Sequence, residues 1–178
     1  MVYVHLAEGF EEIEALTVVD LLRRANIAVE TVSISAGTVA GAHGISVVTD
    51  ITIDKADYDN CEMIVLPGGM PGSVNLEECD VLQEQIYRFN EQGKFIAAIC
   101  AAPMILGHKG LLDGKKAVIY DGMESDLGKA IVANDKAVID GNFVTGKGPG
   151  CAIEFALKII SVLKDEKAAD MIKSELLY

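Results

Sequence analysis

The chain has 178 residues, 51% of them hydrophobic, and a mean hydropathy of +0.31, enough for one compact domain over residues 1–178 with a sizeable core. A formal net charge of −12 opposes the basic surface that nucleic acid or an anionic membrane needs, and favours a small, uncharged substrate or a protein partner. Met1 to Ala7 lacks the basic stretch of a signal peptide and no apolar run can span a bilayer; with four dispersed cysteines and no C-x-x-C pair, the expected setting is the reducing cytoplasm, without a zinc site or redox dithiol.

Residues 2–7 read as a first apolar strand, and Glu8-Gly9-Phe10 turns into a helix predicted over residues 11–25. Glu11 and Glu12 suit its first turn, at the positive end of the macrodipole. Glu14 is different: helical spacing takes it to Val18, Leu21, Leu22 and Ala25, an apolar face, so its carboxylate points inward. The alternative is one more acid in a solvated first turn. Residues 28–35 predict a second strand, Gly37 to Gly44 a glycine-punctuated loop or small hairpin, and residues 45–52 further extended chain. Met63 to Leu66 is a short buried strand closed by Pro67-Gly68-Gly69-Met70-Pro71-Gly72-Ser73, whose glycines let backbone N–H groups turn toward a ligand. A helix is predicted over residues 81–92.

Phe95 to Ile99 is the next buried strand, and it stops abruptly at Cys100-Ala101-Ala102-Pro103. Pro103 fits the first turn of a helix, where its missing N–H costs nothing, and the small alanines permit a tight bend. Cys100 would then stand at a helix N-terminus, where a thiolate is favoured, in the logic of a nucleophile elbow without its G-x-S-x-G signature. The alternative is a small hydrophobe in a core. Beyond it, residues 116–120 predict a strand, residues 138–145 a hairpin turning at Asp140-Gly141, and residues 152–163 and 166–176 two helices. Strands alternating with helices imply an α/β sandwich with a mainly parallel sheet.

Two motifs are decoys. Gly141 to Lys147 fits the start of a phosphate-binding loop, but Gly148 replaces the magnesium-holding Ser or Thr and Asn142 to Thr145 is a strand pattern. The Gly68 to Gly72 cluster is not G-x-G-x-x-G and no helix is expected to open directly from it, so a dinucleotide fold is unsupported.

In a parallel α/β sheet the loops at the carboxyl ends of neighbouring strands converge on one crevice. If the strands preceding Glu14, Gly68 and Cys100 are neighbours, these residues meet. Cys100 would be the nucleophile, the Gly69 and Ala101 N–H groups would face a developing oxyanion, and Glu14 would be protonated against the sulfur to avoid two adjacent anions. None of the three histidines directly follows Cys100. His5 reads as a core residue in a strand, His108 as a surface residue at a helix end, and His43 as a loop residue that can rim a site.

Four stretches carry a resemblance: Glu8-Gly9-Phe10-Glu11-Glu12-Ile13-Glu14-Ala15, Val65-Leu66-Pro67-Gly68-Gly69, Ala97-Ala98-Ile99-Cys100-Ala101-Ala102-Pro103, and Thr145-Gly146-Lys147-Gly148-Pro149-Gly150 followed by Ile153-Glu154-Phe155-Ala156. In this order, over essentially the whole chain, they resemble the ThiJ/PfpI superfamily, in the branch of YajL and the human Parkinson's-disease deglycase. The resemblance implies a flavodoxin-like (class I glutamine amidotransferase-like) three-layer sandwich and a homodimer. It also implies Cys100 as the reactive cysteine, Glu14 as its protonated partner, Gly69 and Ala101 as oxyanion donors, and no cofactor or metal. Ala101 stands where protease-like members carry a His, so peptidase activity is not expected. Tyr120-Asp121 stands where glyoxalase and deglycase relatives often supply a His, and His43 where relatives have an Arg in a dimer-proximal loop.

The resemblance thus implies a glyoxalase III-like enzyme or protein deglycase acting on 2-oxoaldehydes such as methylglyoxal or their early protein adducts, in protection against carbonyl and oxidative stress. A redox sensor or chaperone that uses oxidation of the same cysteine is the competing expectation, and a protonated Glu14 serves both. A purely structural cysteine is the third.

Overall fold

The computed structural model describes residues 1–35 and 37–178. Strand β1 (Val2–Leu6) is buried along its whole length; Val2, Val4 and Leu6 pack on one side of the sheet and Tyr3 on the other. Burial on both faces is why this strand reads as a continuous apolar run and not as an alternation. Helix α1 (Glu12–Arg24) follows, then β2 (Val29–Ser33), the hairpin of β3 (Thr38–Ala40) and β4 (Ser46–Val48), and β5 (Ile51–Thr52). Next come β6 (Met63–Leu66), α2 (Gly72–Glu77), α3 (Asp80–Glu91), β7 (Phe95–Ile99) and α4 (Pro103–His108). The chain continues through β8 (Lys116–Ala117), β9 (Ile131–Val132), β10 (Ala137–Asp140), β11 (Phe143–Gly146), α5 (Ala152–Leu163) and α6 (Glu166–Glu175).

The central sheet has seven strands in the order β10-β11-β7-β6-β1-β2-β5. All neighbours are parallel except the edge hairpin β10–β11. Helices α1, α5 and α6 pack together on one face, while buried residues of α3 and α4, among them Leu82, Ile86, Phe89 and Ile105, fill the other. Each fully buried Leu, Ile or Phe contributes about 1.5–3 kcal/mol of transfer free energy. The expected α/β sandwich with a mainly parallel sheet is therefore present. Chain order runs outward from β1 to β2 and β5 on one side, and from β6 to β7 and β11 on the other. The β1/β6 boundary is thus the topological switch point, where a crevice opens at the strands' carboxyl ends.

Three sequence expectations need correction. Residues 116–120 do not form a strand of the central sheet: β8 ends at Ala117 and pairs with β9. Beyond it the Val118 N–H donates to Thr145 Oγ1 at 3.0 Å and the Tyr120 N–H to the Cys100 carbonyl at 2.9 Å, so the chain crosses the end of the sheet instead of extending it. A helix, α2, does open directly from the glycine cluster, because the Ser73 and Asn75 N–H groups reach back to the Gly69 and Pro71 carbonyls, both at 2.9 Å. Its few apolar positions, Val74 and Leu76, are too few to show a period. The acids of α1's first turn are not solvated: Glu11, Glu12 and Glu14 are all buried.

The decoy phosphate loop is strand β11 and the residues beside it, as its pattern indicates. His5 is wholly buried, its Nε2 2.7 Å from the Tyr58 hydroxyl, and burial pushes it down to about 3, so it is neutral. His108 pairs at the surface with Glu77, Nδ1 to Oε1 2.7 Å. No helix is long and apolar enough to cross a membrane among the described residues.

Candidate active site

Strands β1, β6 and β7 are adjacent, and the residues that follow them meet at their carboxyl ends. Glu14, in the first turn of α1, has no solvent-exposed surface. Its Oε2 accepts the Gly68 N–H at 2.8 Å. Its Oε1 is buried without a hydrogen-bond partner among the described residues, and the Cys100 sulfur is the side chain that acts on the carboxyl. Gly68 makes the approach possible: a Cβ there would lie 2.5 Å from Cys100 Cβ and 2.7 Å from Glu14 Oε2. Gly69, at φ +90°, has backbone of Gly9 and Glu11 where a side chain would go, so only glycine carries its N–H to this spot.

Cys100 sits at φ +63°, a left-handed conformation that costs a residue with a side chain about 1–2 kcal/mol. It is held there by its own N–H donating to the Gly146 carbonyl and its carbonyl accepting the Tyr120 N–H, both at 2.9 Å. The left-handed turn ends the strand at Cys100, and the Ala101 and Gly69 N–H groups favour the charged form of its sulfur. The cavity before it, about 480 Å³, is lined by Glu11, Gly69, Met70, Cys100, Ala101, Tyr120, Asp121, Gly122, Met123 and Pro149.

The electrostatics differ from the expectation of a thiolate held by a helix end. Helix α4 has only six residues and begins three positions beyond Cys100. Burial pushes the Cys100 thiol up to about 12, and the charge and hydrogen bond of Glu14 push the same way, against the Ala101 and Gly69 N–H groups. Burial likewise pushes Glu14 up to about 7, against the Gly68 N–H and the Cys100 sulfur. Two buried acids in contact cannot both lose their protons, so they titrate as a pair holding one proton between them. The sulfur becomes an anion only while Glu14 keeps that proton.

Sequence reasoning found Glu14, Gly68, Gly69, Cys100 and Ala101, and the fold brings these together. It missed Glu11, whose N–H donates to the Gly68 carbonyl at 2.9 Å and whose buried side chain lines the cavity; its place between strand end and helix start was the available signal. Tyr120, at the position where the resemblance puts a His in relatives, is a wall of this cavity. His43 does not line this cavity: its Nδ1 lies 2.9 Å from Glu12 Oε2, and Glu12 also accepts the His43 and Ile45 N–H groups at 2.8 and 3.3 Å, fixing the β3–β4 hairpin to α1. The Glu12 hydrogen bond pushes the exposed His43 up.

Comparison with known proteins agrees with this fold. A sequence profile of the DJ-1/PfpI family matches residues 1–162. Protein DJ-1 homolog A of Arabidopsis thaliana is 37% identical over 99% of the chain, and the chain spans 46% of that relative's length. The Deglycase PfpI of Pyrococcus furiosus is 34% identical, with 89% of the chain and 96% of the relative covered. The Glutathione-independent glyoxalase DJR-1.2 of Caenorhabditis elegans is also 34% identical, with 93% and 90% covered. The solved structure of oxidized Toxoplasma gondii DJ-1 superposes with a TM-score of 0.95 at 37% identity, covering 99% of this chain and 97% of that one. The chain belongs to the DJ-1/PfpI family.

The Glu14–Cys100 pair sets two measurable properties. Alkylation of Cys100 by iodoacetamide will rise through a step near pH 7, and Glu14→Gln will abolish that step; an unmoved profile would show that the groups are uncoupled. Because the folded Glu14 titrates at about 7 and not at the ordinary 4.5, its favourable contribution to stability is present below 4.5 and lost as pH rises through 7. In chemical denaturation at about pH 8, Glu14→Gln should therefore be the more stable protein, by roughly 2–3 kcal/mol, with the difference vanishing below about pH 4.5.

Proposed function

We propose that the protein is a cofactor-independent, cysteine-dependent glyoxalase or deglycase, acting on 2-oxoaldehydes such as methylglyoxal or on their early adducts with protein thiols and amines. The observation that carries this reading is the wholly buried Glu14 carboxyl, held by the Gly68 N–H at 2.8 Å and separated from Cys100 only by the space that glycine leaves. The names of the Pyrococcus and Caenorhabditis relatives support the same class of chemistry.

In this reading the Cys100 sulfur attacks the aldehyde carbon, a C–S bond forms, and the carbonyl electron pair moves to oxygen facing the Gly69 and Ala101 N–H groups. That oxygen takes the Glu14 proton. The carboxylate so formed removes the proton from the former aldehyde carbon, giving an enediolate with its charge on the second oxygen; that oxygen takes the hydroxyl proton of the first as Glu14 returns its proton to the neighbouring carbon, which leaves a thioester. Water hydrolyses the thioester, releasing the 2-hydroxy acid and restoring the Cys100 thiol; methylglyoxal plus water becomes lactate. A raised Glu14 is suited to both steps because its affinity for the proton lies near the working pH.

Dimerisation belongs to the same proposal. Ile13 and Leu16 of α1 and Ile45 and Val48 of the hairpin are exposed, and the Ile45 N–H on Glu12 places the hairpin's apolar surface beside the helix. Such surface is characteristic of an interface. In sedimentation the protein should run as a dimer and Ile45→Glu as a monomer; a monomeric unmodified protein would contradict this.

Lactate formed from methylglyoxal by the purified protein tests the chemistry. Turnover is expected in the unmodified protein and a loss of at least about a hundredfold in both Cys100→Ser and Glu14→Gln, the scale of nucleophile and proton-transfer contributions. Absence of turnover in the unmodified protein would overturn the enzyme reading and leave peroxide oxidation of Cys100, followed by mass, as the property of this site.

A further inference from the structure

Helix α2, helix α4 and the short turn Glu124–Leu127 lead away from three different parts of the candidate active site: α2 follows Gly69 and Met70, α4 follows Cys100, and the turn follows the wall residues Tyr120 to Met123. At their far ends the three meet again on one side chain. His108, the last residue of α4, has its Nδ1 2.7 Å from Oε1 of Glu77, the last residue of α2, and its Nε2 3.6 Å from Asp126 Oδ1 in the turn. Backbone of Asp126 and Leu127 fills the space that a side chain at Gly107 would need, which seats the turn against the end of α4. The turn is bonded to the cavity wall, because the Asp126 N–H donates to the Met123 carbonyl at 2.9 Å and the Met123 N–H to the Tyr120 carbonyl at 3.0 Å. Opposite it, the Ser73 N–H holds the start of α2 to the Gly69 carbonyl at 2.9 Å.

The two contacts of the His108 ring respond differently to loss of its proton. Both carboxylates only accept, and an imidazolium has an N–H on each side where a neutral ring has one. A neutral ring that keeps its proton on Nδ1 for the short Glu77 hydrogen bond turns the Nε2 lone pair toward the Asp126 carboxylate. Attraction across 3.6 Å then becomes repulsion. The Glu77 hydrogen bond raises His108 above the usual 6.5, against desolvation and with the charges of Glu77 and Asp126, so the imidazolium is held below 6.5 and lost as the pH rises through the raised value. Other charged groups nearby are engaged elsewhere: Lys109 lies 5.1 Å from the centre of the Tyr87 ring, Glu124 accepts the Gly122 N–H at 3.0 Å, Asp113 accepts the Lys129 N–H at 3.3 Å, and Glu78 lines a separate cleft beside Cys79.

We propose that His108 is a pH-responsive latch: its imidazolium ties residues 120–127, which carry one wall of the Cys100 cavity, to α4 and α2, and loss of its proton releases that wall and widens access to Cys100. The latch is separate from the Glu14–Cys100 pair. It acts on what reaches the sulfur and not on the chemistry there, whatever compound the cavity takes.

The test compares initial rates of two reagents on Cys100, the small iodoacetamide and the bulky N-(1-pyrenyl)maleimide, with the Cys100 peptide followed by mass so that Cys79 and Cys151 do not interfere. Each forms a C–S bond with the thiolate: iodide leaves in the first case, and the maleimide carbon takes a proton from water in the second. Ionisation of Cys100 therefore cancels in the ratio of the two rates. Between about pH 6 and 8.5 the ratio of maleimide to iodoacetamide should rise roughly 2- to 5-fold in the unmodified protein, the scale of one exposed ion pair. It should stay at the high value throughout in Asp126→Ala, and at the low value throughout in His108→Lys, whose ammonium keeps its charge over this range. Hydrogen exchange of residues 120–127, corrected for the intrinsic rate at each pH, should follow the same three patterns. A ratio that does not change with pH in the unmodified protein, or that rises equally in His108→Lys, would overturn the proposal, as would exchange in Asp126→Ala identical to that of the unmodified protein at every pH.

Discussion

The contact between the buried Glu14 carboxyl and the Cys100 sulfur is the constraint on which the rest of the site depends. An ionised carboxylate with no exposed surface is unfavourable unless it is paired or hydrogen-bonded, and Glu14 has one backbone donor, the Gly68 N–H, and a sulfur. Its proton affinity rises to meet that environment. The same burial raises the thiol, so the pair stores one proton that neither group releases easily to water. In the proposed reaction a carbonyl carbon arriving at the sulfur would resolve the conflict, since the negative charge would move away to an oxygen facing two N–H groups.

The fold serves this contact by bringing three strand ends together at the switch point of the sheet. β1 delivers α1 and Glu14, β6 delivers the paired glycines, and β7 delivers Cys100 in a left-handed turn. Gly68 and Gly69 do different work: the first makes space between carboxyl and sulfur, the second aims an N–H. Strain at Cys100 is tolerated because strand β11 on one side and the Tyr120 segment on the other bond its N–H and carbonyl, so the surrounding sheet over-determines the turn. The segment that ties down Cys100 is therefore also the wall of the cavity in front of it.

Much of this was legible in the sequence. Met63 to Leu66 and Phe95 to Ile99 are short apolar runs ended by Pro67-Gly68 or by Cys100, and the strands have those bounds. The inward aim of Glu14 follows from its spacing to Val18, Leu21 and Leu22, and the fold buries all of them. The direction of the Cys100 shift was not legible, because it depends on how far the sulfur is desolvated and on which group touches it, and neither is local in sequence. The course of residues 116–120 was hidden for a related reason: they have a strand's composition, but tertiary hydrogen bonds to Thr145 and Cys100 take the donors a sheet would have used. Glu11 and Glu12 fit a solvated helix start equally well until the hairpin that covers Glu12 and the cavity that takes Glu11 are in place.

The most direct measurement of the central claim is the titration of Glu14 itself, followed by NMR of side-chain carboxyl carbon-13 with Glu14→Gln to assign the signal. The account predicts a midpoint near 7, displaced when Cys100 is replaced by Ser. A midpoint at the ordinary 4.5 would contradict it, because Glu14 would then be fully charged at neutral pH and would hold no proton against the sulfur.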